Sequence, residues 1–305
     1  MTNAVSTVAR PATSEMVRRL PEYLMIWVPL LLSAAHLISF SIWTIWISFT
    51  PSTLVPVTGW VGLRNYSSVL ASRNWQIAFD NLLLFGIAFV LLSLITGLAL
   101  AILLDQRIRG ENVLRTIFLY PLAVSFVVTG TVWSWLLNPG IGIEKLAHDL
   151  GWSAFHFDWL VNRDMAIWTI VIAAIWQSSG FAMALFLAGL RSVDADIIRA
   201  AQIDGAGPIR TYLRVILPTL WPITITVVVV QLQFAISAFD LVRALTKGGP
   251  GIATQLPALV VYDLMFQRSQ LGRGAAAVLM LLILLAVLLP YAAWRYVQRR
   301  QATHA

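Results

Sequence analysis

Six stretches without a single Asp, Glu, Lys or Arg decide what this chain of 305 residues can fold into. Each is at least 21 residues long, and they are Tyr23–Leu63, Asn81–Leu104, Thr116–Ile143, Met165–Leu190, Val215–Phe239 and Gly274–Trp294. A helix needs roughly 20 apolar residues to cross a hydrocarbon core, and lipid offers the backbone no hydrogen bonds. The alternation typical of barrel strands is absent, so we expect an all-α membrane protein with six transmembrane helices.

The basic residues predict the orientation of these helices. With both termini in the cytoplasm, 13 of the 21 Lys and Arg residues lie inside and eight lie outside, which is the bias that the positive-inside rule favours. We therefore expect a cytoplasmic N-terminal tail over residues 1–22, a six-span transmembrane domain over 23–297 and a cytoplasmic tail over 298–305. The formal charge of +7 reflects this bias and gives no indication of nucleic-acid binding.

Composition excludes several kinds of chemistry. The chain has no cysteine, so it can form neither a disulfide nor a thiolate site. Two of its four histidines, His148 and His156, share a predicted outer loop, and we expect them to be solvated rather than to bind a metal. No nucleophile–base pair or carboxylate pair lies within a span, and no phosphate-binding Gly-x-x-x-x-Gly-Lys sequence occurs. We expect neither enzyme activity nor a cofactor in this chain.

A polar segment between the fourth and fifth spans, RAAQIDGAGPIRTYLRVILP (Arg199–Pro218), begins within a short predicted helix. Ser192 can cap that helix, which covers roughly residues 193–203, with Asp194 and Asp196 in its first turn. The dipeptide Asp204-Gly205 predicts the sharp turn that ends it, because glycine adopts backbone angles closed to other residues.

A second short helix follows the turn. Pro208 suits its first turn and Leu217 is its predicted last residue, so that Pro218 marks entry into the membrane. The segment 191–217 is therefore expected to form a helix–turn–helix elbow in the cytoplasm. Its tip consists of small residues that another protein can approach closely: Ala200, Ala201 and Gly205. The alternative interpretation is that the segment is only a solvated connector.

The elbow resembles the cytoplasmic loop of bacterial ABC-importer permeases, whose signature is Glu-Ala-Ala, then Gly, and later Leu-Pro. The residues that match are Ala200, Ala201, Asp204, Gly205, Ala206, Leu217 and Pro218. In place of the family's Glu this chain has Arg199, which reverses a charge. The resemblance implies that the elbow is a coupling helix seated on an ATPase subunit, and it implies contacts from Asp196, Arg199, Ala200, Ala201, Asp204, Gly205 and Ala206.

The resemblance covers nearly the whole chain and narrows to carbohydrate importers of the maltose and glycerol-phosphate type. The segments that carry it are WVGLRNYSSVL (Trp60–Leu70), LLDQRIRGENVLRTIFLYPLAVS (Leu103–Ser125), LNPGIG (Leu137–Gly142) and LTKGGPGIATQLPALVVYDLMF (Leu245–Phe266). It implies the type I permease fold, the inner membrane of a bacterium, a second homologous permease, and two ATPase subunits that hold ATP and magnesium. It also implies an extracytoplasmic binding protein for a sugar-like solute, docked near residues 138–164 and at Gly248, Gly249, Pro250 and Thr254.

Polar side chains within the spans are candidates for the solute path, because they are costly in lipid. Gln233, Ser237 and Asp240 share one helical face and Gln231 points elsewhere. The resemblance places solute contacts at Phe126, Ala174, Gln177, Ser178, Gln231, Ala235 and Ala238. Trp176 offers an aromatic face for the C–H surface of a sugar. The alternative interpretation of the serines and glutamines is hydrogen bonding between helices.

An ion-coupled secondary transporter of small polar solutes is the alternative function. Such transporters place ionisable groups or broken helices at mid-membrane. In this sequence only Asp80 and Asp240 approach the membrane, and both lie near the ends of predicted spans. An importer powered by a separate ATPase is therefore the favoured prediction.

Overall fold

The computed structural model describes residues 12–106, 108–284 and 286, and these residues form helices and connecting loops without a strand. The helices are α1 Ala12–Ser48, α2 Arg64–Leu70, α3 Arg73–Asp105, α4 Glu111–Leu119, α5 Phe126–Leu136, α6 Ile143–Asp149, α7 Ala166–Ser192, α8 Ala195–Ile203, α9 Pro208–Thr211, α10 Leu217–Thr219, α11 Trp221–Ile236, α12 Phe239–Leu245, α13 Pro257–Tyr262 and α14 Leu271–Leu284. The predicted all-α fold is confirmed.

Among the described residues, three unbroken helices are long and apolar enough to cross a membrane. They are Met25–Ser48 within α1, Arg73–Asp105 (α3) and Ala166–Ser192 (α7). They correspond to the first, second and fourth predicted spans. The helix of the first span ends just before Pro51, as expected of a residue that cannot continue it. Its apolar side chains from Met25 onward are largely exposed, so this helix offers its surface to lipid or to another protein.

The third predicted span is broken, which corrects the expectation of one straight helix over Thr116–Ile143. The segments Glu111–Ala123 and Phe126–Leu136 meet at 99°. Pro121 lies in a single 3-10 turn, Val124 is extended, and Ser125 caps α5 by accepting a hydrogen bond from the Val127 amide at 3.3 Å. Proline and a new N-cap together account for the bend.

The fifth predicted span is broken as well. Segments Ile209–Thr219 and Trp221–Ile236 meet at 67° around Leu220, and Pro222 stands in the first turn of α11. Hydropathy does not detect such a bend, because both segments are apolar. If each bent pair counts as one span, the described residues contain five spans. The sixth begins as α14, and its predicted end near Trp294 lies outside the described residues.

The core of the bundle is the contact between α3 and α7, which run in the same direction. Successive residues pair along it: Ser93 lies beside Ser178, and Gly97 lies beside Ala182. A methyl group built on Gly97 would come within 2.5 Å of the Ala182 Cβ. Small residues thus let the two backbones approach closely, as expected for helices in lipid.

The two ends of the bundle differ. At one end, here named the elbow end, α3 and α7 finish at Asp105 and Ser192 and α8–α10 follow. At the opposite end, here named the loop end, lie the connections 49–72, 137–165 and 246–270. Contacts at the loop end join distant segments: Asn65 donates to the Ser48 carbonyl, and the Gly272 amide donates to the Ser52 carbonyl.

Candidate coupling and transport sites

The first limb of the elbow is α8, and its cap differs from the predicted one. Helix α7 continues to Ser192, whose hydroxyl donates to the Gly189 carbonyl at 2.7 Å. Asp194 is the N-cap instead: its carboxylate accepts from the Asp196 amide at 2.9 Å. An aspartate at this position also interacts favourably with the positive end of the helix dipole.

The turn of the elbow has the geometry that the sequence predicts. Gly205 has φ +75°, in the left-handed region that favours glycine. The Ala206 amide donates to the Ala201 carbonyl and the Gly205 amide donates to the Gln202 carbonyl, each at 3.0 Å. This pair of bonds is the Schellman motif, which satisfies carbonyls that the end of α8 would otherwise leave free.

The second limb is longer and less regular than predicted. It begins at Pro208, as expected, but passes through a π-helical turn over Tyr212–Ile216 and continues to Thr219. Pro218 therefore lies inside the limb rather than after it. Ile216 and Leu220 are buried in the same apolar cluster as the last turns of α3 and α7. The elbow is thus rigidly attached to the two central helices.

The outer surface of the elbow is apolar at several points. The side chains of Ile203, Ile209 and Leu213 are 86%, 76% and 60% exposed. Ala200, Asp204 and Gly205 are exposed beside them, whereas Ala201 and Ala206 are half-buried. Burying isoleucine and leucine side chains away from water is favourable in free energy. This surface is therefore suited to contact with another protein.

Arg199 forms an ion pair within its own helix. Its guanidinium lies 3.0 Å from the Asp196 carboxylate, one turn earlier, and both side chains are more than two-thirds exposed. An exposed pair of this kind contributes little to stability. Asp196 and Arg199 therefore remain available to a partner.

An arginine that sequence reasoning did not single out joins the helix ends beneath the elbow. Arg191, in the last turn of α7, lies 2.5 Å from the Glu111 carboxylate at the start of α4 and 3.9 Å from Asp105 at the end of α3. All three residues flank apolar spans, and the predicted topology puts them on the same side of the membrane. Only the fold brings them into one cluster.

Buried polar groups link the central helices. Ser178 lies between Ser93 of α3 and Gln231 of α11, with both contacts at 3.3 Å, and Gln231 has no exposed surface. This is the helix-to-helix hydrogen bonding that stood as the alternative interpretation. The Gln231 Oε1 atom nevertheless has no hydrogen-bond partner among the described residues, so a role of Ser178 and Gln231 in the solute path stays a prediction.

Gln177 supports the bend between α4 and α5. Its amide donates to the Val124 carbonyl at 2.7 Å, and that carbonyl belongs to the extended residue at the bend. In lipid a backbone group released by a broken helix must find a partner elsewhere. The Gln177 Oε1 atom is buried without a hydrogen-bond partner in the described part of the chain, and participation of Gln177 in the solute path also stays a prediction.

A group of polar side chains at the end of α11 and the start of α12 points away from the packed interior. Gln233 of α11, its C-cap Ser237 and Asp240 of α12 are all exposed, whereas Val227, Gln231 and Ala235 form the buried face of α11. The three residues do not share one continuous helix as predicted, because α11 ends at Ile236 and α12 begins at Phe239. Phe126 of α5 meets Phe234 of α11 edge-on at 6.1 Å, and the exposed Trp176 of α7 meets Trp133 of α5 edge-on at 5.9 Å.

The Gly-Gly-Pro loop at the loop end is tightly organised. Thr254 is fully buried, its hydroxyl donates to the Gly249 carbonyl at 2.7 Å, and the same oxygen lies 2.8 Å from the Thr246 hydroxyl. Gly248 is buried with φ +89°, and Gly249 and Pro250 are half-buried. Thr254 therefore shapes the loop from inside. Docking of another protein on this loop stays a prediction.

Asn81 ties this loop to α3, a contact that sequence reasoning missed. Its side-chain amide donates to the carbonyls of Ala253 and Gln255 at 2.9 and 3.0 Å. The sequence does offer a signal for this contact, because Asn81 stands at the start of an apolar span. A side-chain amide buried there is costly unless it forms hydrogen bonds.

Comparison with known proteins identifies the family. The sequence pattern of binding-protein-dependent transport system inner membrane components matches residues 93–303, more than two thirds of the chain. The chain belongs to this family of membrane transport permeases. It is 38% identical over 281 residues to a probable ABC transporter permease protein of Pyrococcus horikoshii, covering 91% of this chain and 96% of that one.

A second relative and a solved structure agree with this assignment. The xylose/arabinose import permease protein of Haloferax volcanii is 38% identical over 239 residues, covering 77% of this chain and 75% of that one. A crystal structure of a bacterial ABC transporter involved in the import of the acidic polysaccharide alginate superposes with a TM-score of 0.80. The superposition covers 94% of this chain and 98% of the alginate transporter chain, with 19% sequence identity. This likeness establishes the type I permease fold.

Proposed function

We propose that the chain is the permease subunit of an ABC importer that carries a sugar or sugar derivative. It would form the path together with a second, homologous permease, and separate ATPase subunits would supply the energy. A binding protein would deliver the solute at the loop end. The elbow end would face the cytoplasm, with both termini on that side, as the distribution of Lys and Arg favours.

The elbow is the observation that carries this proposal. Its apolar side chains at Ile203 and Ile209 are exposed although they lie between charged residues. The Schellman turn at Gly205 holds the two limbs at a fixed angle, and the second limb is packed against α3 and α7 through Ile216. A force applied to such an element by a partner would reach the spans, since packed helices move as rigid units.

The solute path is assigned to the exposed polar side chains at the end of α11 and the start of α12. Gln233, Ser237 and Asp240 offer an amide, a hydroxyl and a carboxylate, which are the groups that bind sugar hydroxyls. The exposed Trp176 of α7 would add an aromatic surface for the C–H face of a sugar. These polar side chains would be covered by the second permease, leaving a cavity between the two chains. The sugar class rests on this chemistry and on relatives such as the xylose/arabinose permease.

Uptake in proteoliposomes tests the proposal. The purified complex of both permeases and the ATPases is reconstituted with ATP inside, and labelled sugars are offered outside with the binding protein. We expect uptake that requires internal ATP and persists when ionophores collapse proton and sodium gradients. Uptake that follows an ion gradient without ATP would instead establish the secondary transporter.

Substituting Gln233 with leucine tests the path. We expect the KM for sugar transport to rise about tenfold, the equivalent of one lost hydrogen bond of roughly 1.4 kcal/mol. The amount of folded protein should not change, because the Gln233 side chain is exposed.

Gln231→Leu is the matched comparison, because it changes the same residue type one half-turn away on the buried face. We expect it to leave KM within about twofold. A larger rise in KM for Gln231→Leu than for Gln233→Leu would move the path to the packed interface of α11 and contradict the assignment.

A further inference from the structure

The loop between α5 and α7 brings the two histidines that were expected to be solvated, His148 and His156, together with Glu144. Glu144 and His148 are four residues apart on α6 and therefore lie on one helical face. His156 comes from the loop that follows. One ligand atom of each lies within 4.8 Å of the others.

The histidine at the centre of this cluster is oriented by the backbone. His148 Nε2 lies 2.8 Å from the Phe155 carbonyl. A carbonyl can only accept, so Nε2 carries a proton, and in the neutral ring Nδ1 keeps an unshared electron pair. Metal-binding histidines commonly donate their second ring N–H to such a carbonyl, which fixes the tautomer and the ring. The same bond holds residue 155, and with it His156, against α6.

Glu144 lacks the partners that a buried carboxylate requires. Its side chain is only 13% exposed, one oxygen lies 3.2 Å from His156 Nδ1, and the other oxygen is buried without a hydrogen bond to any described residue. The adjacent Lys145 pairs with Asp149 at 2.7 Å instead. Among the described residues, no Lys or Arg lies within salt-bridge distance of Glu144. A simple Glu–His pair leaves that second oxygen unsatisfied, whereas a cation would satisfy it.

We propose that Glu144, His148 and His156 bind one divalent transition-metal cation of the zinc type. Two imidazoles and a carboxylate suit Zn²⁺, whereas Mg²⁺ and Ca²⁺ prefer oxygen ligands alone. Zinc ligands lie about 2.0–2.2 Å from the metal, which places tetrahedral ligand atoms about 3.4 Å apart. The Glu144–His156 distance of 3.2 Å already fits, and the remaining distances, which are at most 4.8 Å, must shorten by at most about 1.4 Å. The His156 side chain is 72% exposed and is free to rotate towards His148.

The bound cation would fasten the loop to α6. Three protein ligands leave a fourth position for water, as in zinc sites with an open place. The residues enclosed between Glu144 and His156 include the exposed Trp152, which the metal would hold in one arrangement at the loop end. Metal binding by these three residues is independent of the solute that the importer carries.

Cobalt titration of the full chain in detergent tests the proposal. Histidine-containing tags are removed first, and endogenous metal is stripped with a chelator. We expect one Co²⁺ per chain, seen by the visible absorption of a tetrahedral site, and displacement of that Co²⁺ by equimolar Zn²⁺. We also expect Zn²⁺ to slow cleavage by chymotrypsin at Trp152 and Phe155 at least threefold.

Three variants separate the cluster from adventitious binding. His156→Ala and Glu144→Gln each remove one ligand and should weaken Co²⁺ binding at least tenfold. His36→Ala changes a histidine of α1 that lies outside the cluster and should leave binding unchanged. If His156→Ala lowers the yield of folded protein, His156→Asn replaces it. Absence of saturable Co²⁺ binding, or equal binding by wild type and the His156 variant, would overturn the proposal.

Discussion

Gly205→Pro in the elbow is expected to reduce solute-stimulated ATP hydrolysis and uptake by the assembled importer at least tenfold. Proline fixes φ near −65° and lacks an amide proton, whereas Gly205 has φ +75° and donates to the Gln202 carbonyl. The Schellman turn cannot form with proline, so the two limbs of the elbow lose their relative orientation. Hydrolysis is measured in reconstituted vesicles with and without the binding protein and sugar.

Gly207→Ala is the matched control for this change. Gly207 lies two residues further along the same turn, a Cβ there meets nothing within 4 Å, and its φ is outside the left-handed region. We expect hydrolysis and uptake by this variant within about twofold of wild type. Co-purification of the ATPase subunits distinguishes lost assembly from lost coupling, and either one supports the elbow as the coupling element. Full stimulation and uptake in the proline variant would reduce the elbow to a connector.

The parts of this structure that follow from local chemistry were predictable. Gly205 was identified because an Asp-Gly pair after a short helix predicts a left-handed turn, and the turn is there. The straight helices α3 and α7 follow from apolar length alone. The predicted N-cap of α8 was wrong by two residues: it is Asp194 and not Ser192. The sequence does not show whether Ser192 ends α7 or begins α8.

Features that depend on distant segments were not predictable. The bend before α5 releases the Val124 carbonyl, and its partner Gln177 is 53 residues away in sequence. Hydropathy treats both sides of a bend alike, although Pro121 and Pro222 were local signals that the third and fifth runs are not straight. The spacing of Glu144 and His148 was visible in the sequence, but the approach of His156 depends on how the loop folds back.

Gly180→Ala is expected to lower the yield of folded, monodisperse chain at least fivefold. A Cβ on Gly180 would overlap the backbone carbonyl oxygen of Phe118 and lie 3.2 Å from the Leu119 Cα. Overpacking against side chains costs about 1–3 kcal/mol, and a backbone atom cannot rotate away. The yield is measured by size-exclusion chromatography in detergent, together with the thermal midpoint of aggregation.

Gly86→Ala supplies the control, because it is the same substitution inside a span with a different neighbour. The added Cβ would lie 3.9 Å from the Ala235 Cβ, an ordinary contact, and alanine favours helix over glycine by about 0.5–1 kcal/mol. We expect its yield and thermal midpoint to equal or exceed those of wild type. Equal tolerance of both substitutions would contradict the close approach of α7 to α4.

The position of Gly180 gives this substitution a consequence for transport as well as for stability. Gly180 and Gln177 are one turn apart on α7. Gly180 packs against the last residues of α4, and Gln177 donates a hydrogen bond to the Val124 carbonyl in the bend that follows α4. Separating α7 from α4 would therefore weaken the Gln177–Val124 hydrogen bond and leave a carbonyl unpaired in lipid. The fraction of Gly180→Ala chains that does fold should show slower uptake than wild type at equal amounts of assembled complex, whereas Gly86→Ala should not.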